Sequence, residues 1–329
     1  MPKIILILCA VIATFAGCDN SNTVVKTNAE IESGSSNDKV AKLPVPGAKP
    51  DQPAAQHVEV TPPSAMEKNP AVAGSGQGNI PLNLKFLSWN VESEGSEPAT
   101  ITKELGELGQ YDVITLTEVL PQAAGDFCTA FGDGYNYIMG ETGRNDRMMV
   151  IYNKQTLKYV RQFELSDINY KSRFRSPLVV HFKDILTGKE ILVMVNHLAR
   201  GNAEARQIQA EKLVKWARDE SMPIIALGDY NFDYDFNTRQ GNEAFRLFMK
   251  DNIWQWVEPI ELVDTNWYDN PEEPDGKDDY PDSMLDFGFV AGSAKQWTTS
   301  CKVIVRDGDF PDDEKTSDHR PFEIIVSGN

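Results

Sequence analysis

The segment Pro223-Ile224-Ile225-Ala226-Leu227-Gly228-Asp229-Tyr230-Asn231 decides how this chain is read. The uncharged apolar run Pro223 to Leu227 has strand length and reads as a buried strand. It then turns polar at Asp229 and Asn231. Alone, such an ending is an ordinary turn, because Asp and Asn bond readily to nearby backbone. The arrangement recurs, however. A strand over Leu84 to Val91 ends at Trp89-Asn90, and one over Asp112 to Val119 ends at Thr117-Glu118. The strand Glu190 to Asn196 delivers His197, Asp286 adjoins Leu285 in a strand running to Ala291, and Asp318-His319 precede the last strand, Phe322 to Val326. Six apolar segments thus each present a carboxylate, amide or imidazole at a strand end, as a site built on a rigid sheet requires.

Between these segments the same reading places helices at Ile101 to Leu108, near Gln122 to Phe131 and from Ala203 to Arg218. Further strands fall at Tyr135 to Met139, Met148 to Asn153, Leu157 to Leu165, Pro177 to Lys183, Trp254 to Leu262 and Trp297 to Val305. Helices interspersed with many strands fit one α/β domain over residues 82–329, with two sheets packed face to face and helices outside.

The first 81 residues read differently. Lys3 precedes an apolar run from Ile4 to Phe15 of about 12 residues, short of the roughly 20 a spanning helix needs. This is the pattern of a secretory signal peptide over residues 1–18. Phe15-Ala16-Gly17-Cys18 resembles a bacterial lipobox, which implies lipidation at Cys18 and a protein secreted but held on a bacterial membrane, at the periplasm or cell surface. Residues 19–81 are rich in Ser, Asn, Ala, Gly, Pro, Lys and Glu without periodicity and read as a disordered linker. Of the 4 cysteines, only Cys128 and Cys301 lie in the domain, and spacing leaves open whether they pair. The chain carries a net charge of −17, which opposes non-specific binding of polyanions but suits a divalent cation.

The ordered set Asn90 in LSWNV, Glu118 in ITLTEV, His197 in VNHL, Asp229 and Asn231 in LGDYN, Asp286 in LDFGFV and Asp318-His319 in SDHRP resembles the motifs of the endonuclease/exonuclease/phosphatase superfamily, most of all its deoxyribonuclease I-like branch. The resemblance spans Leu82 to Val326. It implies a four-layer α/β sandwich and hydrolysis of a phosphate ester assisted by Mg²⁺, Mn²⁺ or Ca²⁺. Glu118 is then the leading metal ligand, with Asn90 and Asp318 as helpers. His319 with Asp286 and His197 with Asp146 form two imidazole–carboxylate pairs for acid/base work. Asp229 orients or deprotonates the attacking water, and Asn231 and Arg175 contact the substrate phosphate. Arg147 and Arg173 are weaker candidates for phosphate contact. Which histidine serves the water and which the leaving group stays open.

The expected substrate is nucleic acid, cleaved by a monomeric endonuclease outside the cytoplasm. Two positions depart from that branch: Leu120 replaces an arginine that enters the minor groove, and its structural disulfide has no counterpart. The alternative is a phospholipid or small phosphoester, hydrolysed as a sphingomyelinase or inositol phosphatase would. A non-enzymatic binding module is disfavoured, since every expected catalytic position is filled. The segment from Asp264 to Asp282, with eight acidic residues against Lys277, reads as a solvated loop. His181 reads as a structural side chain, and Trp254, Trp256 and Trp267 as core.

Overall fold

A computed structural model describes residues 80–92, 94–270, 272–310 and 315–328. The leader, Cys18 and the linker as far as residue 79 lie outside the described residues. The fold concerns the compact unit Ala71–Asn329.

The first half of this unit contains β1 (Leu82–Asn90), α1 (Pro98–Glu107), β2 (Val113–Val119), α2 (Ala124–Thr129), β3 (Tyr135–Met139) and β4 (Arg147–Asn153). The second contains β5 (Leu157–Glu164), β6 (Leu178–Asp184), β7 (Glu190–His197), α3 (Ala203–Asp219), β8 (Ile224–Asp235), α4 (Glu243–Phe248), β9 (Gln255–Trp256) and β10 (Ser283–Ala291). The chain closes with β11 (Thr298–Val303) and β12 (Phe322–Gly328). One six-stranded sheet has the order β11-β12-β1-β2-β4-β3 and the other β5-β6-β7-β8-β10-β9. Among the described pairings each sheet has a single parallel pair, β1 with β2 and β7 with β8, and these crossovers carry α1 and α3. Parallel neighbours need such crossovers, whereas the antiparallel strands follow through shorter connections.

The sheets pack face to face, with β1 against β8 and β2 against β7 and β8. The alternation along β1 shows how sequence builds the layers. Leu82, Leu84 and Phe86 enter the core between the sheets, while Leu87 and Trp89 face a second cluster with Ile101 and Leu105 of α1 and Phe127 of α2. On the far side, Leu213 and Val214 of α3 and Phe248 of α4 cover the second sheet. Two mixed β-sheets flanked by helices are therefore the fold, as the sequence led us to expect. Because the two parallel pairs oppose each other, the ends of β1, β2 and β7 and the middle of β8 bring Asn90, Glu118, His197 and Asp229 together, beside the strand ends where α/β sheets bind ligands.

Two expectations are corrected, and one helix is added. The strand expected to stop at Leu227 continues to Asp235, because Tyr230, Phe232 and Tyr234 alternate with Asp229, Asn231 and Asp233. The aromatic face packs on Phe287 and Phe289 of β10, so the polar turn becomes a distortion within a strand. The strand expected over Trp254 to Leu262 shrinks to Gln255–Trp256, after which Pro259 bridges to Cys301 in the other sheet. Helix α4 was not anticipated. Its signal was Asn242, whose side chain accepts from the amides of Ala244 and Phe245 as an N-cap. Cys128 and Cys301 are both buried and unpaired, in separate clusters. His181 has the structural role expected of it, bonding Glu190 across the β6–β7 pair at 2.9 Å.

Candidate active site

Glu118 owes its position to a break in strand geometry. Simple alternation on β2 would send it to the same side as Ile114 and Leu116, toward the helices. The pairing with β4 instead shifts between Leu116 and Val119, and Glu118 adopts a φ of +56°. Val119 takes the place among the apolar side chains, and Glu118 turns to Asn90. A left-handed conformation at a non-glycine residue costs on the order of 1–3 kcal/mol, which the surrounding packing must offset. On β8, Gly228 has a φ of +133°, and a Cβ there would lie 2.0 Å from the Asn196 carbonyl oxygen. Only glycine lets β7 and β8 approach so closely just before Asp229.

The amide nitrogen of Asn90 donates to Glu118 Oε1 at 3.0 Å and to Asp229 Oδ2 at 3.2 Å. Its oxygen accepts from the Glu92 amide at 3.1 Å, so Asn90 bridges the two carboxylates. Burial raises the pKa of Asp229, and the neighbouring carboxylates Asp286 and Glu118 add to the effect. His197 points Nδ1 at Asp146 Oδ1, 3.2 Å away, and Nε2 at Asp229 Oδ2, 3.3 Å away. Burial and the nearby Arg175 push the His197 pKa down to about 4, so the ring is neutral at pH 7. Burial also lifts Asp146 to about 6, against the pull of Arg175, which pairs with it at 3.1 Å. An ionised Asp146 thus fixes the Nδ1–H tautomer of His197 and leaves a lone pair on Nε2.

Glu118, Asp229 and this Nε2 place their ligand atoms within 4.8 Å of one another. Three electron-pair donors converging on one point repel unless a cation lies among them. Two are carboxylate oxygens, which hard divalent cations prefer, so Glu118 and Asp229 fit such an ion, with the Nε2 lone pair beside it open to a proton. The group joins Glu118 to Asp229 and His197 and does not include Asp318, the helper expected from sequence. Asp318 lies beside His319, with its carboxylate 3.8 Å from Nε2 and its amide donating to Glu92.

His319 contrasts with His197. Its Nδ1 lies 2.7 Å from Asp286 Oδ2. Burial opposes its charge, but Asp286, Asp318 and Asp229 outweigh this and raise its pKa well above that of a free imidazole. One histidine is therefore held neutral and the other protonated.

Both histidines line a cavity of about 340 Å³ together with Glu118, Asp229, Asn231 and Asp318. The backbone amide of Asn231 donates to Asp229 Oδ1, and its side-chain nitrogen donates to the Leu198 carbonyl at 3.1 Å. Asp146 and Asp286 stand behind their histidines, and Arg175 behind Asp146. Reading the sequence missed Arg200, which lines the cavity and donates to Asn231 and Asp233. Its guanidinium lies 4.6 Å from the centre of the Tyr280 ring, whose hydroxyl donates to Asp233 at 2.6 Å. Tyr280, Trp267 and Tyr268 bring the acidic segment 264–282 to the cavity wall. That segment is more than a solvated loop, and Trp267 is not core, whereas Trp254 is. The aromatics interrupting the acidic run were the available signal.

A model of the endonuclease/exonuclease/phosphatase family matches residues 87–319, which include the end of β1 and every residue of this site. The chain belongs to the endonuclease/exonuclease/phosphatase family. Members of this family hydrolyse phosphate esters. Solved structures share its fold. A family protein from Bacteroides thetaiotaomicron aligns with a TM-score of 0.57 at 19% identity, covering 77% of this chain and 97% of that one. A mannosyl-6-phosphatase from the same organism gives 0.55 at 19% identity, covering 74% and 99%. D. rerio TDP2 complexed with a single-strand DNA product gives 0.57 at 15% identity, covering 75% and 99%. At these identities the likeness concerns the fold alone. A curated relative, orsellinic acid synthase ArmB of Armillaria ostoyae, is 21% identical over 206 residues, and the chain spans only 9% of its length.

Proposed function

We propose that this family member is a metal-dependent phosphodiesterase acting on nucleic acid outside the cytoplasm, as a deoxyribonuclease I-like endonuclease. The observation that carries the reading is the opposed protonation of two carboxylate-held histidines on one cavity, since pKa values pushed apart divide acid from base. His319, charged at neutral pH, is the proton donor to the leaving oxygen. His197, neutral with Nε2 toward Asp229, takes a proton from the attacking water, which Asp229 orients. Asp146 and Asp286 hold the two rings in their tautomers. A divalent cation held by Glu118 and Asp229, with Asn90 setting their spacing, would polarise the phosphoryl oxygens and offset developing charge. Arg200, the one Arg or Lys among the residues lining that cavity, would meet a non-bridging phosphate oxygen.

Secretion and a lipid anchor at Cys18 belong to this reading on the strength of residues 1–18 alone. The modest cavity and its aromatic wall also favour a second reading, a small phosphoester substrate. Assaying the protein on plasmid DNA and on bis-p-nitrophenyl phosphate, with and without Mg²⁺, Mn²⁺ and Ca²⁺, separates them. Metal-dependent nicking that His319→Ala abolishes supports the nuclease. Hydrolysis of the small ester without nicking favours the second reading, and inactivity on both overturns the phosphodiesterase.

A further inference from the structure

The β6–β7 hairpin ends in a turn whose corner is apolar. Asp184 shapes it. Its Oδ1 accepts from the amide and the hydroxyl of Thr187, at 2.6 and 2.5 Å, and its carbonyl accepts from the Gly188 amide at 2.9 Å. Gly188 closes the turn with a φ of +72°. Corners set in this way usually carry Gly, Asn, Asp or Ser. Here they carry Ile185 and Leu186, which are 54% and 72% exposed.

Lysines surround them. Lys158 and Lys183 are both exposed and stand directly opposite each other on the β5–β6 ladder, where like charges repel. Lys154 is exposed in the connection from β4 to β5, whose Thr156 carbonyl accepts from the Ile185 amide at 2.9 Å. The two carboxylates of the hairpin are already engaged. Asp184 serves the turn, and Glu190 bonds His181 at 2.9 Å and stands 3.9 Å from Lys183. In a chain of net charge −17 this is a local excess of positive charge around two bare aliphatic side chains. Such a combination matches the headgroups and outer acyl layer of an anionic bilayer, whereas a nucleic-acid backbone would leave Ile185 and Leu186 in water.

The tip also lies where the chain enters the domain. Lys189 Nζ, just before β7, donates to the Gly328 carbonyl at 3.0 Å, and Gly328 pairs with Leu82, the first residue of β1. Ile80, two residues earlier, is 48% exposed. The catalytic cavity is at the other end, since β7 runs its 8 residues, roughly 25 Å, from Glu190 to His197. The entry point and the apolar tip therefore share one end of the sandwich, and the site occupies the opposite one.

Resting on the lipid anchor read at Cys18, we propose that the Ile185–Leu186 tip and its lysines dock on the anionic phospholipid surface that holds the anchor. About 60 residues separate Cys18 from Ile80, and a tether of that order holds the domain near the bilayer at a millimolar effective concentration, so a small patch suffices. Docked in this way, the cavity opens toward soluble polymers and away from the phosphates of the lipids themselves.

The test uses the full chain purified from a host that processes lipoproteins, its mass reporting whether Cys18 is acylated. The chain is reconstituted on vesicles of phosphatidylglycerol and phosphatidylethanolamine, or of phosphatidylcholine alone, and amide hydrogen exchange is followed by mass spectrometry. We expect the segment 183–189 to exchange at least tenfold more slowly on the anionic vesicles than on phosphatidylcholine, and the cavity-wall segment 264–282 to exchange equally on both. Ile185→Ser/Leu186→Ser should remain anchored and lose the slowing, and Lys158→Gln/Lys183→Gln should lose most of it. All four side chains are exposed, so folding is not at stake. An acylated chain whose tip exchanges alike on both vesicles overturns the docking and leaves the anchor standing. Slowing at 264–282 instead turns the cavity to the bilayer and overturns the orientation. Slowing that survives in both variants overturns the assignment to these side chains. A mass without acyl groups on Cys18 refutes the anchor, and the proposal falls with it, whatever the protein does to DNA.

Discussion

The indole nitrogen of Trp89 donates to the main-chain carbonyl of His319 at 2.8 Å, joining positions 230 residues apart. Trp89 is buried in the cluster beneath α1 and α2, and its neighbour Asn90 bridges Glu118 and Asp229. The serine hydroxyl two residues before His319 reinforces the tie, since Ser317 Oγ donates to the Asn90 carbonyl at 2.6 Å and accepts from the His319 amide at 3.0 Å. The carboxylate end of the site and its imidazole end are therefore set by one rigid strand. Replacing Trp89 with Phe keeps most of the packing but removes this donor. We expect a loss of about 1 kcal/mol in stability, measured by urea denaturation, and a larger fall in kcat than in KM.

Asp286→Asn tests the protonated histidine. The amide keeps the shape but withdraws the largest charge that offsets burial of His319. The ring should then lose its proton at neutral pH, and metal-dependent nicking of plasmid DNA, whose alkoxide leaving group needs that proton, should fall by about 10²–10⁴-fold, the usual share of a positioned proton donor. An NMR titration of the His319 ring checks the cause, since its pKa should drop in the variant.

Asn90→Ala should weaken divalent cation binding although Asn90 presents its nitrogen, not its oxygen, to the carboxylates. Without the bridging amide, Glu118 and Asp229 repel and spread. Calorimetry with Mn²⁺ should show about 10–100-fold weaker binding, the range for partners that orient metal ligands. Unaltered affinity would remove Asn90 from the account of the cation site.

Asp264 offers a pH-dependent test of stability. Burial raises its pKa to about 7, with Asp278 and Asp282 adding to the effect against hydrogen bonds from the Ser283 and Asn266 amides. The folded protein thus holds a proton that the unfolded chain releases near pH 4. The associated stability is fully present below that value and is lost as pH rises through about 7. Asp264→Asn should leave Tm at pH 4 nearly unchanged and raise it at pH 8 by about 2–4 °C, allowing for solvent screening of a partly exposed group.

How much of this was legible in the sequence follows from the range of the forces involved. Buried strands ending in Asn90, Glu118, His197 and Asp229 can be read directly, because burial on both faces demands uninterrupted apolar residues and polar groups collect where burial stops. The same local logic gave the long helix α3 and the layered α/β fold. It failed where neighbours in space overrode neighbours in sequence. The aromatic face of Tyr230, Phe232 and Tyr234 finds Phe287 and Phe289 and so extends β8 through residues that would otherwise turn. Pro259 leaves one sheet for the other, which shortens β9.

The chain by itself determined which chemical groups stand at the strand ends and in what order, since that is written in hydrophobic pattern. Tertiary structure decided how they act. Only the folded chain turns Glu118 inward through a positive φ, sets His197 neutral and His319 charged, and brings Arg200 and Tyr280 from distant segments to the same wall. The physical reason is that protonation and orientation depend on desolvation and on charges a few ångströms away, and proximity of that kind exists only after folding.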